Sequence, residues 1–178
     1  MATAATTMTG AQFDALPYEE GRRWELVCGE LIAVPSPTLR HQEIVSRVLA
    51  ALRQHLEKEK GLAVPDVEFA LSPNDRVRPD VCAILGEKAD RIDLDRIPIP
   101  GAPDIAVEVI SPSERASESY EKVRNYLQKG AQEVWRVYPR TASVEIHRGG
   151  NSRFLERGDT ITSDLLPGFE LPIESLFY

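Results

Sequence analysis

The stretch from Pro103 to Glu114 reads PDIAVEVISPSE, and it restricts the fold more than any other part of the chain. Ile105, Ala106 and Val107 precede Glu108, and Val109 and Ile110 follow it. A short apolar run of this kind, rich in β-branched residues, predicts a strand buried on both faces. An ionised carboxylate inside such a strand costs several kcal/mol, roughly, when nothing compensates it. Glu108 therefore calls for a cation, a metal ion or several hydrogen-bond donors within reach.

The remaining segments alternate between strand and helix patterns. WELVCGELIAVP predicts a β-hairpin turning at Cys28-Gly29 and ending at the breaker Pro35-Ser36-Pro37. In SPTLRHQEIVSRVLAALRQHLEKEKG, the residues Ile44, Val45, Val48, Leu49, Leu52 and Leu56 recur at helical spacing, with Gly61 as the stop. LAVPDVEFALS reads as a strand. RPDVCAIL reads as another, starting at Pro79, where a missing N–H is tolerable. The segment from Gly86 to Pro103 predicts an irregular surface excursion.

A second helix follows the opening strand, capped near Ser113 and stopped by Gly130, with Ala116, Tyr120, Val123 and Leu127 as its apolar stripe. Three strands (QEVWRVYP, SVEIHRG, SRFLERG) and a closing LPGFELPIESLFY complete the chain. This order predicts one mixed α/β (α+β) domain over residues 21–178, with residues 1–20 a loose tail.

Composition narrows the function classes. A net charge of −7 over 178 residues argues against a general nucleic-acid coat, whose binding rests on excess Lys and Arg, but leaves room for a nuclease with an acidic metal site. Cys28 and Cys82 lie far apart, with neither CxxC spacing nor a histidine pair nearby. Disulfide frameworks and zinc sites are disfavoured, and a reducing cytoplasm is the expected compartment. No apolar run approaches the roughly 18–20 residues of a membrane span, and MATAATTMTG lacks the pattern of a signal peptide.

Several residues qualify for chemistry, each with a plainer alternative. Asp80 either caps a strand start or joins Glu108 in an oxygen-rich site suited to magnesium. Glu108 is either salt-bridged or functional. Lys122 either pairs with Glu118 one turn away or runs its stem along the helix stripe toward the sheet. Tyr126 is either core packing or a second polar group at the same point. His41, at the start of the first long helix, is either structural or part of a site. The chain contains no GxSxG, no glycine-rich phosphate loop and no HExxH.

Taken together, WELVCGELIAVPSPTLRHQEIVSRVLAAL, RPDVCAIL, PDIAVEVISPSE, EKVRNYLQKGAQEVWRVYP and LLPGFELPIESLF resemble the Uma-two family of restriction-endonuclease-like proteins, within the PD-(D/E)XK nuclease superfamily. The similarity runs from about Trp24 to Phe177. It implies a mixed central sheet flanked by helices, and a magnesium-dependent endonuclease hydrolysing phosphodiester bonds in DNA, with manganese as the alternative ion.

Under that resemblance Asp80 and Glu108 are metal ligands, the backbone carbonyl of Val109 is a third, and Lys122 activates or orients water. Tyr126 and His41 stand close by. Most of the superfamily carries the lysine two residues after the acid, where this chain has Ile110, and Lys122 on the following helix takes its place. Related sequences also tend to carry an Asp in the segment before that lysine, which here reads ASESYEK. A homodimer is expected from nucleases that cut two strands. The alternative is a catalytically inactive nuclease-fold module that binds DNA or another protein.

Overall fold

The computed structural model describes residues 7–112 and 114–177. In chain order its elements are α1 (Gly10–Asp14), β1 (Arg23–Val27), β2 (Glu30–Val34), α2 (Leu39–Leu56), β3 (Gly61–Pro65), β4 (Phe69–Ala70) and β5 (Val81–Leu85). They continue as α3 (Gly86–Arg91), β6 (Ile99–Pro100), β7 (Ile105–Val109), α4 (Ala116–Gln128), β8 (Glu133–Tyr138), β9 (Ser143–Arg148), β10 (Asn151–Leu155), β11 (Thr160–Ser163), β12 (Leu166–Pro172) and α5 (Ile173–Leu176).

The centre is a six-stranded mixed sheet in the order β10-β9-β8-β7-β5-β3. β7 and β8 are parallel, joined over the sheet by α4, and the other neighbouring pairs are antiparallel. Alternation along β7 splits its side chains between two cores. Ile105, Val107 and Val109 face α2, while Ala106 joins the cluster under α4. The apolar run around Glu108 is thus a strand covered on both sides.

The α2 face is built as its periodicity predicts. Thr38 caps the helix by accepting the N–H of His41 on its hydroxyl, and Ile44, Val45, Val48, Leu52 and Leu56 are buried. They pack on Val81, Val107 and Trp135 together with β12 and α5, and the ring of Trp135 lies 5.9 Å from that of Phe169. Gly61 is not the helix stop. It opens β3, where a Cβ would stand 2.8 Å from the Leu56 side chain.

Other expectations change. The segment LAVPDVEFALS is not one strand, because Asp66 adopts a left-handed φ of 52° and breaks it. β3 then pairs with β5, whereas β4 leaves the main sheet to pair with β6. The excursion from Gly86 to Pro103 accordingly contains both α3 and β6. On α4, Tyr120 is exposed, and the buried surface is formed by Ser119, Val123, Asn125 and Tyr126. The expected cap at Ser113 and the Ala116 side chain fall outside the described residues.

Part of the N-terminal segment, expected as a loose tail, is docked; residues 1–6 lie outside the described region. Thr9 and Gln12 close a capping box on α1, and the Met8 N–H donates to the Gly29 carbonyl at 2.9 Å. Asp14 takes the Arg76 guanidinium through two oxygens, at 2.9 and 2.8 Å. Gly10 lies against that guanidinium so closely that a Cβ would overlap it. Arg76 in turn exchanges two backbone hydrogen bonds with Leu26, which ties the β1–β2 hairpin to the loop before β5.

Candidate active site

The site begins where two neighbouring strands stop pairing. The β5–β7 ladder is antiparallel, with Val81 opposite Val107 as its last pair toward the open end. Continued by one residue, that register sets Asp80 across from Glu108 on the same face of the sheet. Continued by two, it sets Pro79 across from Val109. Proline has no N–H to give to the Val109 carbonyl, so the ladder cannot close there. The Val109 N–H goes instead to Asp80 Oδ2, at 2.7 Å.

The next helix supplies the other side of the site. Lys122 and Tyr126 are four residues apart on α4 and so lie on one surface of the helix. The Lys122 Nζ donates to Glu108 Oε2 and the Tyr126 hydroxyl to Glu108 Oε1, both at 2.9 Å. Tyr126 is fully buried, so the packing and polar readings of it both hold. Lys122 does not form the local pair with Glu118, which instead lies 3.3 Å from Arg115. From the start of α2, His41 Nε2 reaches Asp80 Oδ1 at 3.1 Å. All five predicted side chains therefore converge on one region, and Val109 contributes backbone to it.

Glu25 on β1 also belongs to this cluster, and sequence reasoning missed it. Its Oε2 lies 2.9 Å from Lys122 Nζ, and its Oε1 accepts the Arg78 N–H at 2.7 Å. The signal resembled that at Glu108: a carboxylate among the apolar residues of a predicted strand, here Trp24, Leu26 and Val27.

Burial sets the electrostatics. It pushes the Glu108 carboxyl up to about 8, with Asp80 and Glu25 adding to the rise and Lys122 opposing it. Burial disfavours the Lys122 ammonium too, but the flanking carboxylates Glu108 and Glu25 outweigh it and raise its pKa. Burial first, then Glu108, holds the Tyr126 hydroxyl well above its usual range, which keeps it a donor.

The cluster lines a cleft of about 480 Å³ between the β1–β2 hairpin, the start of α2 and the first turns of α4. Ile32, Val34 and Pro35 add apolar lining to it. Glu25 and Glu108 flank the Lys122 ammonium, and Asp80 adds a third acid beside Glu108.

Among the described residues no group of three His, Cys, Asp or Glu side chains is arranged to hold a metal ion. Magnesium needs no such cage, since one or two carboxylates with water and substrate oxygens suffice. Asp80 and Glu108, set across from each other by the β5–β7 register, meet that count of carboxylates. Each carboxylate oxygen has a second lone pair beyond the hydrogen bond it already accepts.

A crystal structure described as "a putative nuclease belonging to DUF820", from Anabaena variabilis, superposes with a TM-score of 0.82. It is 20% identical, and the match covers 95% of this chain and 97% of that one, so the two share a fold. No functionally curated protein matches the chain. The family model Uma2, described as "Putative restriction endonuclease", matches residues 11–174. With that match spanning nearly all of the sequence, the chain belongs to the Uma2 family of restriction-endonuclease-like proteins.

Proposed function

We propose that the protein is a magnesium-dependent endonuclease that hydrolyses phosphodiester bonds in DNA, with manganese able to replace magnesium. The observation that carries this reading is the convergence of Asp80, Glu108 and Lys122 at the point where the β5–β7 ladder parts. Asp80, Glu108 and the Val109 carbonyl would hold the ion. A divalent cation held there would stabilise charge on the phosphoryl oxygens and promote ionisation of water.

The chain's own residues do the rest. Lys122 carries a fixed positive charge beside the acids and orients the attacking water or the phosphate oxygen it faces. Tyr126 holds the Glu108 carboxylate by its Oε1, and His41 holds Asp80 by its Oδ1, so both acids keep their direction. In the reaction the water oxygen forms a bond to phosphorus as the bond to the leaving oxygen breaks; the water's proton passes to solvent and the leaving oxygen takes one up from solvent, giving a phosphate monoester and a hydroxyl. Ile110, at the position where most of the superfamily has its lysine, faces no such task, because α4 supplies the cation.

A cytoplasmic setting accords with two unpaired cysteines, Cys82 buried and Cys28 exposed. A homodimer would give one site per DNA strand. Among the described residues no helix is long and apolar enough to cross a membrane.

The test is incubation of purified protein with plasmid DNA and magnesium or manganese. Nicking or cleavage is expected, with none from Asp80→Ala or Glu108→Ala. A second reading, an inactive nuclease-fold binding module, draws on the double ion pairing of Lys122. DNA binding without cleavage, together with calorimetry showing no manganese uptake, would establish it instead.

A further inference from the structure

We infer that Glu25 is a positioning residue for metal loading: it holds Lys122 when the ion takes up the charge of Glu108. This rests on the metal reading above and goes beyond it. The Lys122 Nζ sits 2.9 Å from Glu108 Oε2 and 2.9 Å from Glu25 Oε2, shared equally between them. A cation arriving at Glu108 competes with the ammonium for the same oxygens and repels it. An ammonium with Glu108 as its only partner would be stranded in a buried place, a costly outcome that would count against binding. Glu25 removes that obstacle, since Lys122 keeps a charged partner without leaving the site.

The hairpin fixes Glu25 for this task. Its other oxygen accepts the Arg78 N–H at 2.7 Å, two residues before Asp80. Glu25 is 5% exposed, so the carboxylate is not free to swing into water. The backbone of the residue after it, Leu26, is bonded in both directions to Arg76. One segment, residues 76–80, therefore carries both the acid proposed to hold the ion and the clamp for the acid that retains the lysine.

Glu25→Gln separates the charge from the structure. The amide oxygen still accepts the Arg78 N–H, so the hairpin anchor persists while the negative charge is lost. Manganese binding, measured by titration calorimetry on the full chain without DNA, is expected to weaken about 10- to 100-fold, the usual effect of losing a residue that supports a metal ligand. The melting temperature of the metal-free variant should stay close to that of the parent.

A double-mutant cycle with Lys122→Gln distinguishes retention of the lysine from a general loss of negative charge. With Lys122 removed, Glu25→Gln should weaken manganese binding at least about threefold less than it does in the parent. Additive effects, or an unchanged manganese affinity in Glu25→Gln, would overturn the inference and leave the nuclease reading standing. Parent protein that takes up no manganese would remove the metal reading and this inference together. Should Glu25→Gln not fold, Glu25→Asp is read in its place: its shorter arm keeps the charge but draws back from Lys122, and undiminished manganese affinity would again refute the role.

Discussion

The two faces of the central sheet use the same kind of contact, a helix laid across strands, for different ends. Under α2 the contact is apolar: Ile44, Val48 and Leu52 meet Val81, Val107 and Trp135. Under α4 apolar residues share the interface with buried polar ones. Asn125 donates to Asp75 at 2.7 Å, Ser119 accepts from Arg136 at 2.8 Å, and Lys122 and Tyr126 both engage Glu108. The first face gains from removing apolar surface from water. The second gives up some of that gain and holds charge in fixed directions, which is what a site needs. Stability and chemistry are thus divided between opposite sides of one strand, β7.

Substitutions can break this division. The largest effect on stability is expected at the α2 face, where Trp135→Ala should lower the unfolding free energy by about 3–5 kcal/mol. It also removes the indole N–H bond to Glu133. Chemical denaturation would measure it, and a loss below about 1 kcal/mol would mean that this face is not the mainstay of the fold.

At the α4 face the contrast should invert. Glu108→Gln is expected to reduce magnesium-dependent cleavage by at least about 10²- to 10³-fold, the scale of losing a charge-stabilising group. The unfolding free energy should fall far less than at Trp135, because Lys122 keeps Glu25 as a partner and the amide oxygen still accepts from Tyr126, leaving only the amide NH2 set against the ammonium. A loss of several kcal/mol would show that the site is as structural as the opposite face.

A finer effect concerns pH. The Glu108 carboxyl binds its proton more tightly in the folded chain, up to about 8, than in the unfolded one, where the ordinary value is 4.5. Between those values the folded state holds more protons, so stability from this group is complete below about 4.5 and declines as pH rises toward 8. Melts in a chelator at pH 5 and pH 8 should show parent protein losing ground to Glu108→Gln at the higher pH. The smallest effect belongs to neither face. Disrupting the exposed Lys60–Asp90 pair, 3.4 Å apart, should shift stability by less than about 1 kcal/mol.

The same contrast explains what could be read from the chain before its fold was known. α2 was legible because its buried residues recur at one period and need no partner of particular identity. β7 was legible for the same reason, and its one misfit, Glu108, pointed at the site. α4 was only half legible. Tyr120 fits the apolar spacing yet is exposed, while Asn125 and Ser119 are buried because Asp75 and Arg136 await them. Such partners lie far away in sequence, 50 residues in the case of Asp75, so periodicity carries no trace of them. Glu25 escaped for this reason, its meaning residing in Lys122. The break at Asp66 escaped because a left-handed backbone at a non-glycine residue has no composition signature beyond a Pro-Asp pair.

The anchoring of α1 has a practical side. Residues 8–14 hold Arg76 through Asp14 and the tight seat at Gly10, Arg76 holds Leu26, and the residue just before Leu26 on β1 is Glu25. A shortened chain starting at Glu20 would keep every residue of the cleft yet lose the far end of that linkage. Trimming the N-terminus to aid crystallisation is therefore not a neutral edit, and assays on trimmed protein need a full-length control beside them.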